Sequence, residues 1–228
     1  MKKIVFYIIT LVSISCSTNK NNMIITGEVD GLKKGTLYLQ KQIDSTIVSL
    51  DSVIMKGNSE FKLEAVINEP DIFYLYLDKN DGDSLNDIIT FFGNKGEINI
   101  NTRLINFDSS FEISGSKNTD LLLEYFSIIR NYNLQNLDLL EIFYNAQIEQ
   151  NQDRIDSVNS QIEKLIKRKY LYSLNFSITN SLYEVSPYIA VSQIPDANKD
   201  LLIKLYDTLS MDIRKSKYGK ILEEIISN

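Results

Sequence analysis

One residue in this chain sits in a pattern that prescribes covalent chemistry. Met1-Lys2-Lys3 is a short cationic segment, Ile4 to Ile14 is an almost uninterrupted apolar run, and small Ser15 directly precedes Cys16. This is the layout of a secretory signal peptide that ends at a cysteine. It predicts cleavage after residue 15 and acylation of the Cys16 thiol. Ser15 suits the lipoprotein cleavage pattern, and Ser13 stands where a leucine is usual. The apolar run would rise only about 16 Å as a helix, roughly half of a hydrocarbon core, too short for a permanent span. Ser17 to Asn22 reads as a polar tether.

The rest of the sequence limits chemistry by what it lacks. Cys16 is the single cysteine and there is no histidine. With the thiol acylated, disulfides, Cys-x-x-Cys redox pairs and thiolate metal clusters have no residues to use. The absence of histidine removes Ser-His-Asp and Cys-His catalysis and nearly every zinc or copper site. No cofactor and no metal site is expected. Of 24 Lys and Arg, Lys2 and Lys3 leave with the leader, so 22 remain against 30 Asp and Glu, a formal charge of −8. That balance disfavours nucleic acid as a partner.

Weaker candidates remain, each with a plainer use. Asp78-Lys79-Asn80-Asp81-Gly82-Asp83, with Asp87 beyond, is the densest oxygen-ligand cluster. Its register fails for an EF-hand, because Leu77 and Lys79 would occupy ligand positions and Ile88 would replace the bidentate glutamate. A solvated hairpin turn is the simpler use of those residues. Ser114-Gly115-Ser116-Lys117 matches Ser-x-x-Lys, yet Lys-Thr-Gly is missing and Ser116 suits a helix cap. Lys164, Lys167, Arg168 and Lys169, near Tyr170 and Tyr172, form a basic patch that would meet anionic headgroups or simply face solvent. Tyr74, Tyr76, Phe91 and Phe92 would line a groove for an apolar or saccharide ligand, or alternate between core and surface along strands. Gly27, Gly31 and Gly35 recur every fourth residue among turn-forming residues, where positive φ accounts for them.

The elements that must position these residues fall into two halves. Apolar residues make up 43% of the chain and charged residues 24%, with only three prolines and nine glycines, a globular composition for one domain or two small ones. From residue 23 to about 115, two-residue alternation broken by Gly, Asn and Asp predicts antiparallel strands over 23–29, 36–40, 46–55, 60–66, 73–77, 88–92, 97–101 and 111–114. Eight short strands imply a sandwich or partly open barrel. Over 116–228 the period becomes helical. Leu121, Leu122, Tyr125, Phe126 and Ile129 form an apolar stripe behind a Ser116 or Asn118 cap. Ile148, Ile155, Val158, Ile162 and Leu165 recur at seven- and three/four-residue spacing, which predicts a coiled-coil-like stretch or the inner seam of a helical hairpin. Ser186-Pro187 reads as a cap followed by proline at the first helical position, and 199–209 and 216–226 read as two further short helices. The fold class is α+β, an N-terminal antiparallel β-sandwich or partly open barrel followed by a helical segment. No glycine- or proline-rich linker separates the halves, so they should pack together.

Several blocks of the β half, in order, carry a family resemblance: Ile25-Thr26-Gly27-Glu28-Val29 through Gly31, Gly35 and Leu37-Tyr38-Leu39, then Asp51-Ser52-Val53 and Phe61. They continue as Tyr74-Leu75-Tyr76-Leu77-Asp78, Phe91-Phe92-Gly93, Gly96-Glu97-Ile98-Asn99-Ile100 and Ile113-Ser114-Gly115-Ser116. This resembles the N-terminal domain of unknown function that precedes the redoxin domain in lipid-anchored thiol-disulfide oxidoreductases of diderm bacteria. Ser186-Pro187-Tyr188 and Ser216-Lys217-Tyr218-Gly219-Lys220 resemble the helical segment that bridges the two. The sequence ends at Asn228 without a redoxin domain or second cysteine, so the family's redox activity has no residues to land on. The resemblance implies an envelope location, a β-rich domain and helices behind it, and supplies no ligand.

The expectation is a lipid-anchored cell-envelope protein, facing the periplasm at the outer membrane, that acts as a non-catalytic binding or interaction module. Its partners would be the membrane, through the lipid, and a protein or small ligand. One alternative is an accessory that docks onto an envelope thiol-disulfide oxidoreductase of the redoxin type. Another is a hydrolase built on paired carboxylates, for which no spacing among the 30 acids singles out a pair.

Overall fold

The computed structural model describes residues 22–79 and 87–228. Eight strands come first: β1 (Met23–Asp30), β2 (Lys34–Ile43), β3 (Thr46–Lys56), β4 (Glu60–Ala65), β5 (Asp71–Asp78), β6 (Ile88–Gly93), β7 (Gly96–Arg103) and β8 (Glu112–Ser114). Six helices follow: α1 (Lys117–Ile148), α2 (Gln152–Thr179), α3 (Val185–Gln193), α4 (Lys199–Thr208), α5 (Met211–Lys215) and α6 (Lys217–Ser227). The chain is α+β, as its two periodicities require. The eight predicted strands agree with the observed ones to within a few residues at each end.

The strands form two four-stranded sheets, ordered β4-β1-β7-β8 and β3-β2-β5-β6, and neither closes into a barrel. Alternation dictates their inner faces. Met23, Ile25 and Val29 of β1, Leu37 and Leu39 of β2, Phe73, Leu75 and Leu77 of β5, and Ile98 and Ile100 of β7 are all buried in one cluster between the sheets. Pairing is antiparallel except at β1 and β7, which run parallel from Met23 beside Gly96 to Asp30 beside Arg103. Local turn chemistry joins antiparallel neighbours only, so alternation carried no signal for this long-range pair.

The three glycines singled out by spacing have different causes. Gly31 and Gly35 do adopt positive φ, at 84° and 152°. Gly27 does not, and instead lets β1 lie against β7, since a Cβ there would fall inside the Ile100 carbonyl oxygen.

The outer face of the second sheet is covered by helices. Ile72 of β5 and Phe92 of β6 enter a second core with Leu121, Leu122, Tyr125 and Ile129 of α1, Val185 and Ile189 of α3, and Tyr218 of α6. A third cluster joins α2 and α3 to α4, α5 and α6 through Leu174, Ala190, Leu202, Leu205, Ile213 and Leu222. Helices α1 and α2 form a hairpin, the second of the two predicted arrangements. Its turn is made by Gln150 in the left-handed region, φ 53°, and by the Asn151 side chain, which accepts from the Arg154 N–H. Val158 and Leu165 lie buried in the seam, whereas Ile148 stands exposed at the hairpin's tip and Phe126 at the rim of the α1 stripe.

The caps divide in an instructive way. Ser116 caps α1, accepting from the Thr119 N–H. Ser186 does not cap α3: the helix begins one residue earlier, and the Ser186 hydroxyl donates to the Ser177 carbonyl at 2.7 Å. The first turn of α3 is capped from another helix, the Val185 N–H donating to Asn118 Oδ1 at 3.0 Å. Pro187 therefore sits inside the first turn, where its missing N–H has no intrahelical partner to lose. The short helix α5 had no clear sequence signal.

Gly27→Ala is expected to separate β1 from β7 and to cost about 3 kcal/mol or more of stability. Urea unfolding followed by circular dichroism measures this, with Gly31→Ala as a comparison free of interstrand contact.

Candidate functional site

The most concentrated polar arrangement lies where the two halves meet. Asp71, at the first position of β5, is buried. Its carboxylate accepts from Lys41 Nζ at 2.8 Å and from Lys217 Nζ at 2.9 and 3.0 Å. It also accepts from the Tyr218 hydroxyl at 2.5 Å and the Ile72 N–H at 2.8 Å. Glu69 accepts from the Lys217 N–H at 2.8 Å, so α6 is fixed at its first turn by two acids of the β half. Beside this cluster is a cavity of 350 Å³ lined by Lys41, Gln42, Ile43, Asn68, Glu69 and Lys217, among others.

Burial alone would raise the Asp71 carboxyl, but hydrogen bonds from Lys41, Tyr218, Lys217 and the Ile72 N–H outweigh it and hold the group below the ordinary aspartate value. Burial and the bond to Asp71 push the Tyr218 phenol well up. A carboxylate offers about four acceptor sites, and those of Asp71 are filled by protein donors. It is an ionic latch, with no lone pair left to take a proton from a substrate.

Around the latch the second core is aromatic. Phe92 meets Tyr188 edge-on at 5.4 Å and Tyr218 at 6.1 Å. Tyr125 hydrogen-bonds Ser173 at 2.7 Å, and burial pushes its phenol up to about 12. Phe92 also carries the polar link to α1: its N–H donates to Thr119 Oγ1 at 3.0 Å, and its carbonyl accepts from Ser116 Oγ at 2.8 Å and Thr119 Oγ1 at 3.1 Å.

The structure disperses the other candidates. Phe91 lies in the sandwich core and Phe92 in the helix-covered core, so alternation directs them to two interiors, with no surface groove between them. Tyr76 stacks on Tyr38 with centroids 6.0 Å apart, and Tyr74 is half-buried against the helices. Ser116 is engaged as a cap and Ser114 is exposed on β8, with no shared cleft for a Ser-x-x-Lys nucleophile. The basic patch splits: Lys169 donates to Asn133 at 2.9 Å, Arg168 lies over the Tyr132 ring at 5.9 Å, and Lys164 and Arg168 border a 390 Å³ groove between α1 and α2. Tyr170 accepts from the Asn198 N–H and Tyr172 stacks on Tyr125.

Asn80 to Asp83 and Cys16 lie outside the described residues. Asp87 is buried and paired with Lys79 at 3.1 Å. The two buried carboxylates among the described residues, Asp71 and Asp87, stand at opposite ends of β5, about 20 Å apart by strand rise, so they do not form a hydrolytic pair. Among the described residues no group of three or more acids could hold a metal ion, and no helix is long and apolar enough to cross a membrane.

Residues 23–122 match the family described as Domain of unknown function (DUF4369). These residues form a DUF4369 domain. No curated protein and no solved structure matches the chain. The DUF4369 domain reaches past the last strand, through the Ser116 cap and into the first turns of α1, and so takes in Ser116 and Thr119, the side chains that bond the Phe92 backbone. Asp71 belongs to the DUF4369 domain, whereas Lys217 and Tyr218 come from α6, far along the chain. Sequence reading missed the latch for that reason, although an acid heading an apolar strand, Asp71-Ile72-Phe73, was its one visible sign.

Two pH limits follow. Asp71 has a folded pKa below its unfolded value of about 3.9. Its contribution is complete above roughly pH 5 and is lost as pH falls through the folded value. Tyr125, Tyr188 and Tyr218 have raised values, so their contribution is complete below about pH 10 and is lost as pH rises. Urea stability against pH is expected to be flat between these limits and to fall on both sides. Asp71→Asn should cost about 3 kcal/mol at pH 7, because it strands two lysines, and should flatten the acid limb.

Proposed function

We propose that this chain is a lipid-anchored protein of the cell envelope, held by acyl groups on Cys16, whose folded part is a non-catalytic binding or interaction module. The observation that carries the reading is the apolar surface at the point where the tether enters. Met23 is wholly buried at the start of β1, so only residues 17–22, about 20 Å of extended chain, separate the fold from Cys16. Asn22 is pinned there by both polar atoms of its side chain, which bond the backbone of Ile67 at 2.8 and 2.9 Å. On the same side Val66 and Ile43 border one cavity, and both are about half exposed, as is Ile47 on the same β2–β3 hairpin. Exposed isoleucines beside a lipidated tether would seat the module against the bilayer surface, supplementing acyl chains that already suffice as an anchor.

A second reading, an accessory that docks onto an envelope thiol-disulfide oxidoreductase, draws support from the family resemblance of the sequence and from the helical half that the DUF4369 domain carries behind it. A periplasm-facing position at the outer membrane is part of the same proposal.

The test is fractionation of the full chain beside Cys16→Ser. The wild type should pellet with membranes and incorporate labelled palmitate, and the variant should appear unlabelled in the soluble fraction. Wild-type protein that is soluble and unlabelled would sink the anchored reading. Affinity capture from solubilised envelopes separates the two readings, because a stoichiometric thioredoxin-fold protein supports the accessory role and its absence favours a free-standing module.

A further inference from the structure

Helix α1 has two apolar faces, and among the described residues only one of them is covered. The inner face, with Tyr125, Ile129 and Ala146, is buried. The outer face carries Arg130, Leu134, Leu137, Glu141, Tyr144 and Ile148, at successive gaps of four, three, four, three and four residues. That is the spacing of a coiled-coil stripe. Its apolar members are open to solvent: Leu134 is 51% exposed, Leu137 61%, Tyr144 59% and Ile148 80%. Arg130 and Glu141 are also exposed, and neither makes an ion pair among the described residues. They are separated by about 16 Å along the helix, too far to pair with each other.

We propose that this stripe is a homodimer interface, in which α1 packs antiparallel against α1 of a second copy. The charges select the arrangement. A parallel in-register pairing would set Arg130 against Arg130 and Glu141 against Glu141, which is repulsive. An antiparallel two-fold pairing that sets Leu134 of one copy opposite Leu137 of the other places Arg130 opposite Glu141 twice, once on each side of the axis. In the same register Tyr144 meets Ser127, and Ile148 meets Leu123, so every layer has an apolar, small or oppositely charged counterpart. Shifting the register by one heptad sets Arg130 against Leu134 or Ile148 and leaves both charges unpaired. The self-complementary stretch runs from Leu123 to Ile148, about 39 Å. Two-fold symmetry requires such an isologous pattern, in which each contact occurs twice. This pairing does not depend on the acylation of Cys16.

The test is sedimentation velocity on the full-length protein purified in detergent, across a concentration series. The wild type should dimerise at micromolar concentration. Arg130→Glu alone and Glu141→Arg alone should each weaken association by roughly tenfold or more, and Arg130→Glu with Glu141→Arg should restore it. Circular dichroism confirms that these surface substitutions leave the fold intact. A wild type that remains monomeric at high micromolar concentration overturns the proposal, as does a dimer indifferent to the single exchanges or a double exchange no better than either single one.

Discussion

The outer face of the β5–β6 pair cannot meet water, because it presents Ile72 and Phe92 beside the inward Phe73 and Phe91. Both faces of this part of the sheet are therefore interior, and a second layer must be held against it. The Asp71 latch does the holding. A buried carboxylate is tolerable only when its acceptor sites are filled, and the filling groups come from β2 (Lys41) and from the start of α6 (Lys217, Tyr218). Satisfying one acid thereby fixes the last helix of the chain to the fifth strand.

A second set of bonds secures the first helix to the same strand pair. Ser116 and Thr119 bond the backbone of Phe92, and Asn118 caps α3 while donating to Glu184 at 2.7 Å. Helices α1, α3 and α6 are thus positioned by polar contacts at their N-terminal ends, and aromatic packing around Phe92, Tyr188 and Tyr218 fills the space between. Among the described residues, the far part of the α1–α2 hairpin has no such layer against it. It extends beyond the second core, which is why apolar residues there stay exposed among the described residues.

The DUF4369 match and the latch bear on each other. The matched segment ends at Leu122, one turn after the residues that tie α1 to Phe92. It includes the sheet face that demands a cover and only the beginning of that cover. The remaining helices supply the rest, through a bond network that spans the boundary at Asp71.

What the sequence determined by itself was whatever short-range periodicity encodes: all eight strands, the helical second half, a capped start to α1 and an apolar seam further on; the choice of two open sheets over a barrel, of Ser116 over Asn118 as the cap and of a hairpin came from the tertiary structure. The Cys16 pattern is also a local motif, and the acylation it points to is part of the proposed function. The tertiary structure decided what depends on residues far apart in the chain. It set the parallel β1–β7 pair, the reason for Gly27, and the reassignment of Ser186 and Asn118 from local to tertiary partners. It buried Phe92 on a face that alternation alone would have left wet, and it assembled Asp71, Lys41, Lys217 and Tyr218. Periodicity reports which side of an element is apolar, but not which distant element will cover it. Partner choice is set by packing and by the need to satisfy buried polar groups, and neither is visible in a local window of sequence.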